Sequence, residues 1–293
     1  MSPRSPFPLA EFANLELVRP LLEVSHEALV ATLKQLGQEW IEDPSNANTR
    51  FQRVRLRALA PALAEAGISA GRITDAMANL RRANEVIRDA AAALTASAVT
   101  CEPWGYAWLS PDGFATAHRE VALRALSRSL QQIGGAAYPP EFEQTQDLLD
   151  WMLLKDGPRG RTLGGCRLAR REDGRILAAR EEEALLAEAP CMPISQGQTI
   201  VWDRRFEVSV EQVDSEGGLD VRPLGLDGLR AIEGRVTLPP VEPNRIGRTL
   251  PAIWRADRLV SAPLLGFHAG VSANARFLSG SKLRKPPFSG TRT

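Results

Sequence analysis

The spacing of apolar residues changes character at Gly157-Pro158, and that change constrains the fold more than any other feature of the chain. Before it, leucines, isoleucines and alanines recur every three or four residues, the period of a helix with one buried face. After it, short β-branched runs are punctuated by Gly and Pro, the pattern of strands and turns. A helix-period region followed by a strand-period region predicts an α+β chain, with a helical bundle ahead of a small β-rich C-terminal domain.

Five helices are predicted ahead of the break. The first, over 25–36, puts Leu29, Leu33 and Leu36 on one face, with Ser25 as N-cap and Gly37 as the stop. The second, over 49–63, aligns Leu56, Leu59 and Leu63, and sets Arg50, Arg53 and Arg57 in a neighbouring stripe. A third, over 71–95, gathers Ile73, Met77, Leu80, Ile87 and Leu94. The fourth, over 116–133, gathers Leu123, Leu126, Leu130 and Ile133, with Arg124 and Arg128 opposite them. The fifth, over 141–154, offers Phe142, Leu149 and Met152. Single apolar faces of this kind predict a bundle. Beyond the break, strands are predicted over 162–170 and 175–180, joined by a turn at 171–174, and over 199–202 and 205–213. Ile253-Trp254 and the run 259–262 continue the β pattern, and the tail from Ser279 is predicted to be disordered.

A formal net charge of +1 argues against a wholesale polyanion binder, so any nucleic-acid surface has to come from local clustering. The densest cluster runs from Arg159 to Arg180 and contains Arg161, Arg167, Arg170, Arg171 and Arg175 against only Glu172 and Asp173; Glu181-Glu182-Glu183 follows and can neutralise it. Cys101, Cys166 and Cys191 lie far apart, and His26, His118 and His268 are isolated. No zinc site, disulfide framework or His-based catalytic set is therefore expected. The absence of a signal-like N-terminus and of a long apolar run predicts a cytoplasmic protein without a membrane span.

Three stretches carry a resemblance. Arg19-Pro20-Leu21-Leu22, then a helix, then Glu42-Asp43-Pro44-Ser45-Asn46 with Arg53, Arg55 and Arg57 resembles the closing segment of the ATP-binding domain of tRNA(Ile)-lysidine synthases. Leu163-Gly164-Gly165-Cys166-Arg167-Leu168 with Arg175 and Arg180 is similar to a strand pair of the same family. So are Trp202-Asp203-Arg204-Arg205-Phe206, Leu250-Pro251-Ala252-Ile253-Trp254 and Pro263-Leu264-Leu265-Gly266-Phe267 to its C-terminal region. The resemblance implies a tRNA-modifying ligase that uses ATP and Mg2+ to join lysine to C2 of the wobble cytidine of tRNA(Ile).

The sequence departs from that family in two places. The family's S-G-G-x-D-S phosphate loop does not occur, the nearest string being Ser215-Glu216-Gly217-Gly218-Leu219-Asp220 in the β region, and Val54 stands where many members carry Asn. With 18 residues ahead of Arg19, the expectation is a C-terminal portion that lacks the ATP-binding domain, binds no ATP or Mg2+ alone and is inactive by itself. The domains read as 1–63, a remnant of the α/β ATP-binding domain; 64–157, a helical tRNA-contacting domain; and 158–293, the β-rich domain. A remnant without its sheet would expose the leucines near Leu29 and Leu59, which predicts self-association. A non-catalytic RNA-binding or interaction module serving a separate ATP-binding chain is the alternative.

The candidate tRNA-binding residues are Arg53 and Arg57, with Arg50, Asp43 and Asn46 beside them, then Arg124 and Arg128, then Arg167, Arg170 and Arg175. Guanidiniums grouped on one face suit phosphate, whereas the plain alternative for each is a solvated charged face or turn chemistry. Trp202, Trp254 and Phe267 can stack on bases or pack a β core.

Overall fold

The computed structural model describes residues 4–6, 16–21, 24–41, 50, 52–154, 157–188, 191–214 and 217–278. The chain divides into a unit of 1–84 with 285–293 and a unit of 85–284. In the first, β1 (Arg4–Pro6) pairs antiparallel with β2 (Glu16–Val18). Helix α1 (His26–Gln35) starts at Ser25, whose hydroxyl accepts the Ala28 N–H at 3.2 Å, and ends at Gly37 with φ +63°. Both ends match the sequence expectation. α2 (Gln52–Glu65) and the first part of α3 (Ala70–Ala98) complete the unit. No residue of α1 is buried, and Leu59, Met77 and Leu80 are exposed, while Leu29 is half-buried.

Among the described residues, the three clusters of buried apolar side chains lie in the second unit. β3 (Val99–Cys101), β4 (Ala107–Leu109), β5 (Gly160–Leu163), β6 (Cys166–Arg170) and β7 (Ile176–Arg180) make an antiparallel sheet in the order β3-β4-β7-β6-β5. One face carries α4 (Pro111–Ala115), α5 (Arg119–Gly134) and α6 (Phe142–Leu153). The apolar stripe of α5, Leu123, Leu126, Leu130 and Ile133, packs there on Cys166, Leu168, Ile176 and Ala178, each fully buried leucine contributing about 2 kcal/mol. The end of α5 comes so close to the β5–β6 turn that a Cβ on Gly134 would sit 2.0 Å from the Gly164 carbonyl oxygen.

After α7 (Glu182–Glu188), β8 (Met192–Ile194), β9 (Thr199–Trp202), β10 (Phe206–Val213), β11 (Leu219–Pro223), α8 (Gly225–Ala231), α9 (Pro243–Arg248), β12 (Pro251–Arg255), β13 (Arg258–Ala262), β14 (Phe267–His268) and β15 (Val271–Phe277) follow. They form a five-stranded sheet, β14-β13-β12-β11-β8, and a three-stranded one, β15-β10-β9. The two share one core, in which Phe206, Val208 and Val210 alternate inward along β10. Among the described residues no helix is long and apolar enough to cross a membrane.

The mixture of helix and sheet is as read from the sequence, but its arrangement differs in three respects. α5 and α6 lie on a sheet instead of closing a bundle, because an apolar stripe specifies a face to be covered and not what covers it. That sheet runs across the anticipated border at 157/158, since β4 pairs with β7. The single strand anticipated over 162–170 is a hairpin, turned by Gly164 (φ +60°) and Gly165 (φ +71°). The tail from Ser279 lies outside the described residues.

Candidate nucleic-acid interface

Strand alternation separates the arginines that the sequence grouped together. On β6, Cys166 and Leu168 face the helices, and Arg170 shares their side. Its guanidinium lies 4.7 Å over the Trp151 ring, and its Nη2 donates to the Trp151 carbonyl. Arg170 is thus committed to packing α6 on the sheet and leaves the candidate surface. Arg167 points the other way, opposite Ala179 in the register.

That second face is an aromatic and basic surface. Tyr106, Leu177 and Ala179 pack there against Ile246 of α9, with Trp104, Trp108 and Val241 half-buried around them. Trp104 stacks parallel to Tyr106 and Trp108 meets Tyr106 edge-on, at centroid distances of 6.5 and 6.1 Å. Burial, and after it the charge of Glu102, holds the Tyr106 hydroxyl up at about 12. Arg175 spreads its guanidinium 4.3 Å over Trp108 and donates from Nε to Asp173 at 2.8 Å. Arg171 donates from Nη2 to Glu242 Oε1 at 2.6 Å, and Arg167 forms an ion pair with Oε2 of the same carboxylate. Exposed Arg245 also stands near. Burial first, then the charges of Arg245 and Arg171, pushes Arg167 below the ordinary arginine range. A planar cation on a half-buried indole beside clustered guanidiniums can take a phosphate and a base together.

A second charged group is buried. Asp203 accepts from Arg205 Nε at 2.5 Å and from Arg180 Nε and Nη2 at 3.3 and 3.1 Å. Arg205 also reaches the Thr249 carbonyl, and Arg180 reaches that of Gly165. Burial is the largest influence on Arg205 and lowers its pKa, against the opposing pull of Asp203. The Cys166 thiol beside them is raised to about 12 by burial, although both arginines favour its thiolate. These side chains tie the end of β7 to the β9–β10 turn, where Asp203 and Arg204 take positive φ.

The other sequence candidates are dispersed. Arg124 donates to Glu120 at 2.7 Å on the outside of α5. With exposed Arg128 it lines a groove of about 330 Å³ that also includes Phe142 and Pro140. Arg50 is exposed ahead of α2. Arg53 and Arg57 fall within α2, but their side chains, like Asp43 and Asn46 altogether, lie outside the described residues. Trp202 is core, while Trp254 and Phe267 are half-buried against it. Among the described residues no three His, Cys, Asp or Glu side chains gather where they could hold a metal ion. Sequence reasoning passed over Trp108, Glu242, Arg245 and the Asp203 pairing. The one available signal was Asp203-Arg204-Arg205 set between Trp202 and Phe206, charge inside an apolar run.

Residues 8–63 match the PP-loop domain family. The chain is 34% identical to a tRNA(Ile)-lysidine synthase of Ruegeria pomeroyi over 258 residues, covering 88% of this chain and 58% of that protein. Proteins of the same name match from Brucella canis, at 32% over 90% of this chain and 57% of the relative, and from Methylobacterium nodulans, at 39% over 55% and 49%. The relatives are tRNA(Ile)-lysidine synthases. Together with the PP-loop match they support the tRNA(Ile)-lysidine synthase family for this chain, which spans about half the length of the curated relatives it matches. The PP-loop match corrects one expectation: that the ATP-binding domain is lacking is not supported, because residues 8–63 carry PP-loop domain sequence.

Proposed function

We propose that these 293 residues are the tRNA-holding portion of a tRNA(Ile)-lysidine synthase, with PP-loop sequence in the first unit and an RNA-binding face in the second. In the proposed reaction the wobble cytidine's C2 oxygen attacks the α-phosphorus of ATP and releases diphosphate. The ε-amino group of lysine then attacks C2, and AMP departs with that oxygen. Mg2+ would screen the phosphates. No described residue is assigned to ATP, lysine or the metal, and the sequence carries no S-G-G-x-D-S string, so no step is routed through this chain's side chains. Their proposed part is to bind and orient the RNA.

The observation that carries this reading is the face built by Arg167, Arg171, Arg175 and Trp108. Guanidiniums there neutralise phosphates, and the indole offers a stacking plane. The test is binding of a tRNA(Ile) transcript as a function of salt. Affinity should fall linearly in log–log form as KCl rises, the slope reporting the phosphates neutralised. No binding at low salt would sink the reading. The chain alone, given ATP, lysine and the transcript, is expected to leave cytidine unmodified.

A further inference from the structure

We propose that Glu242 is a built-in stand-in for an RNA phosphate, which occupies the Arg167–Arg171–Arg245 cluster in the free protein and is exchanged when RNA binds. The inference rests on the RNA-binding reading and adds how that face is kept closed.

The cluster is charged for a larger anion than it holds. Two guanidiniums, those of Arg167 and Arg171, hold one carboxylate, and a third, Arg245, stands near enough to act on Arg167 while pairing with no carboxylate among the described residues. That carboxylate does not use every donor around it. Oε1 receives a hydrogen bond from Arg171, and Oε2 forms an ion pair with Arg167. Arg171 Nε is buried without a partner. A phosphate, with more acceptor oxygens in a tetrahedral array, can satisfy donors that a planar carboxylate leaves idle.

The backbone points the same way. Glu242 sits at φ +43°, ψ +52°, left-handed space that a side-chain-bearing residue seldom occupies, between Val241, packed under the sheet, and Pro243, the first residue of α9. The carboxylate is presented to the arginines from a short strained link, which can relax when the side chain is released. The cluster's carboxylate and its two partners are each a fifth to a third exposed, so an incoming phosphate can reach them. Trp108 and Arg175 lie on the same sheet face, which allows a neighbouring base to be engaged.

The experiment compares Glu242→Gln with the parent chain. For a tRNA(Ile) transcript, E242Q should bind roughly tenfold more tightly, and its salt slope should steepen by about one, since one more phosphate contact no longer competes with an internal anion. A second readout needs no RNA: exchanging chloride for sulfate at equal ionic strength should raise the melting temperature of E242Q more than that of the parent. If E242Q binds RNA no more tightly and responds to sulfate as the parent does, the stand-in role is overturned and Glu242 is an ordinary ion-pair partner. If neither protein binds RNA but E242Q alone gains from sulfate, the RNA reading fails while the exchangeable anion site stands. Should E242Q not fold, E242D, one methylene shorter, carries the test. Tighter RNA binding than the parent supports the exchange, and equal or weaker binding overturns it.

Discussion

The Asp203 group and the Glu242 group are built from the same chemistry, guanidiniums that outnumber the carboxylate they share, yet they serve opposite ends. Around Asp203 the side chains of Arg180 and Arg205 are at most 1% exposed and turn further donors on carbonyls of Gly165 and Thr249, with Arg205 Nη1 left buried without a partner. Nothing there can leave without stranding a charge in a medium that solvates it poorly. Around Glu242 the arginines keep a quarter to a third of their surface in water, and the carboxylate is exchangeable. Burial, and not the number of arginines, separates a charge cluster that ties strands together from one that can bind.

The sharpest way to break that contrast is Asp203→Ala. It removes the anion that two buried guanidiniums share, leaving Arg180 only a 3.7 Å contact with part-exposed Glu188, and should cost about 3–5 kcal/mol in urea unfolding, whereas E242Q should cost well under half as much. Comparable losses at the two sites would erase the distinction.

Alkaline pH probes the buried side again. Cys166 and Tyr106 are both held near 12, above their ordinary values of 9.0 and 10.0. The unfolded chain therefore ionises first, so the stability tied to these groups is intact below about pH 9. It is lost as pH climbs towards 12, at up to about 1.4 kcal/mol per pH unit for each group. Denaturation midpoints that stay flat between pH 9 and 11 would show that neither group is held protonated. Thiol labelling at pH 8 supplies a control: exposed Cys191 should react first, and Cys166 only on unfolding.

On the exposed side, Trp108→Ala and Arg175→Ala should each weaken tRNA binding by about 1–2 kcal/mol. Arg175→Ala should change stability by less than about 0.5 kcal/mol. An R175A protein that unfolds early but binds RNA normally would assign Arg175 to the fold and not to the interface. The smallest effect belongs to Arg124→Ala. Its part-exposed pair with Glu120, four residues away on α5, is worth about 0.3–0.5 kcal/mol.

Much of this was legible locally. Ser25 and Gly37 bound α1 as their cap chemistry predicts, and the four-residue spacing of Leu126 and Leu130 places both on the buried side of α5. The strands over 199–202 and 206–213 follow their alternation. The three-residue strands β3 and β4 did not show, because so short a run displays too little period beside Pro103 and Gly105. The arginine-rich segment at 159–180 pointed to the right part of the chain, but mixed three kinds of residue. Arg170 packs inward, Arg180 is buried with Asp203, and Arg167 and Arg175 face outward. A two-residue period assigns sides within one strand and says nothing of which side a helix will cover.

The sequence by itself determined the α+β character, the approximate limits of the long helices ahead of Gly157 and the resemblance to the lysidine synthases, since each depends on neighbours along the chain; the short helices α7, α8 and α9 fall where strands and turns were read. The tertiary structure decided that α5 and α6 cover a sheet, that Asp203 is the anion for Arg180 and Arg205, and that Glu242 meets arginines some seventy residues away. Those outcomes rest on contacts between distant segments, and the energy of a charge depends on the surroundings that such contacts create.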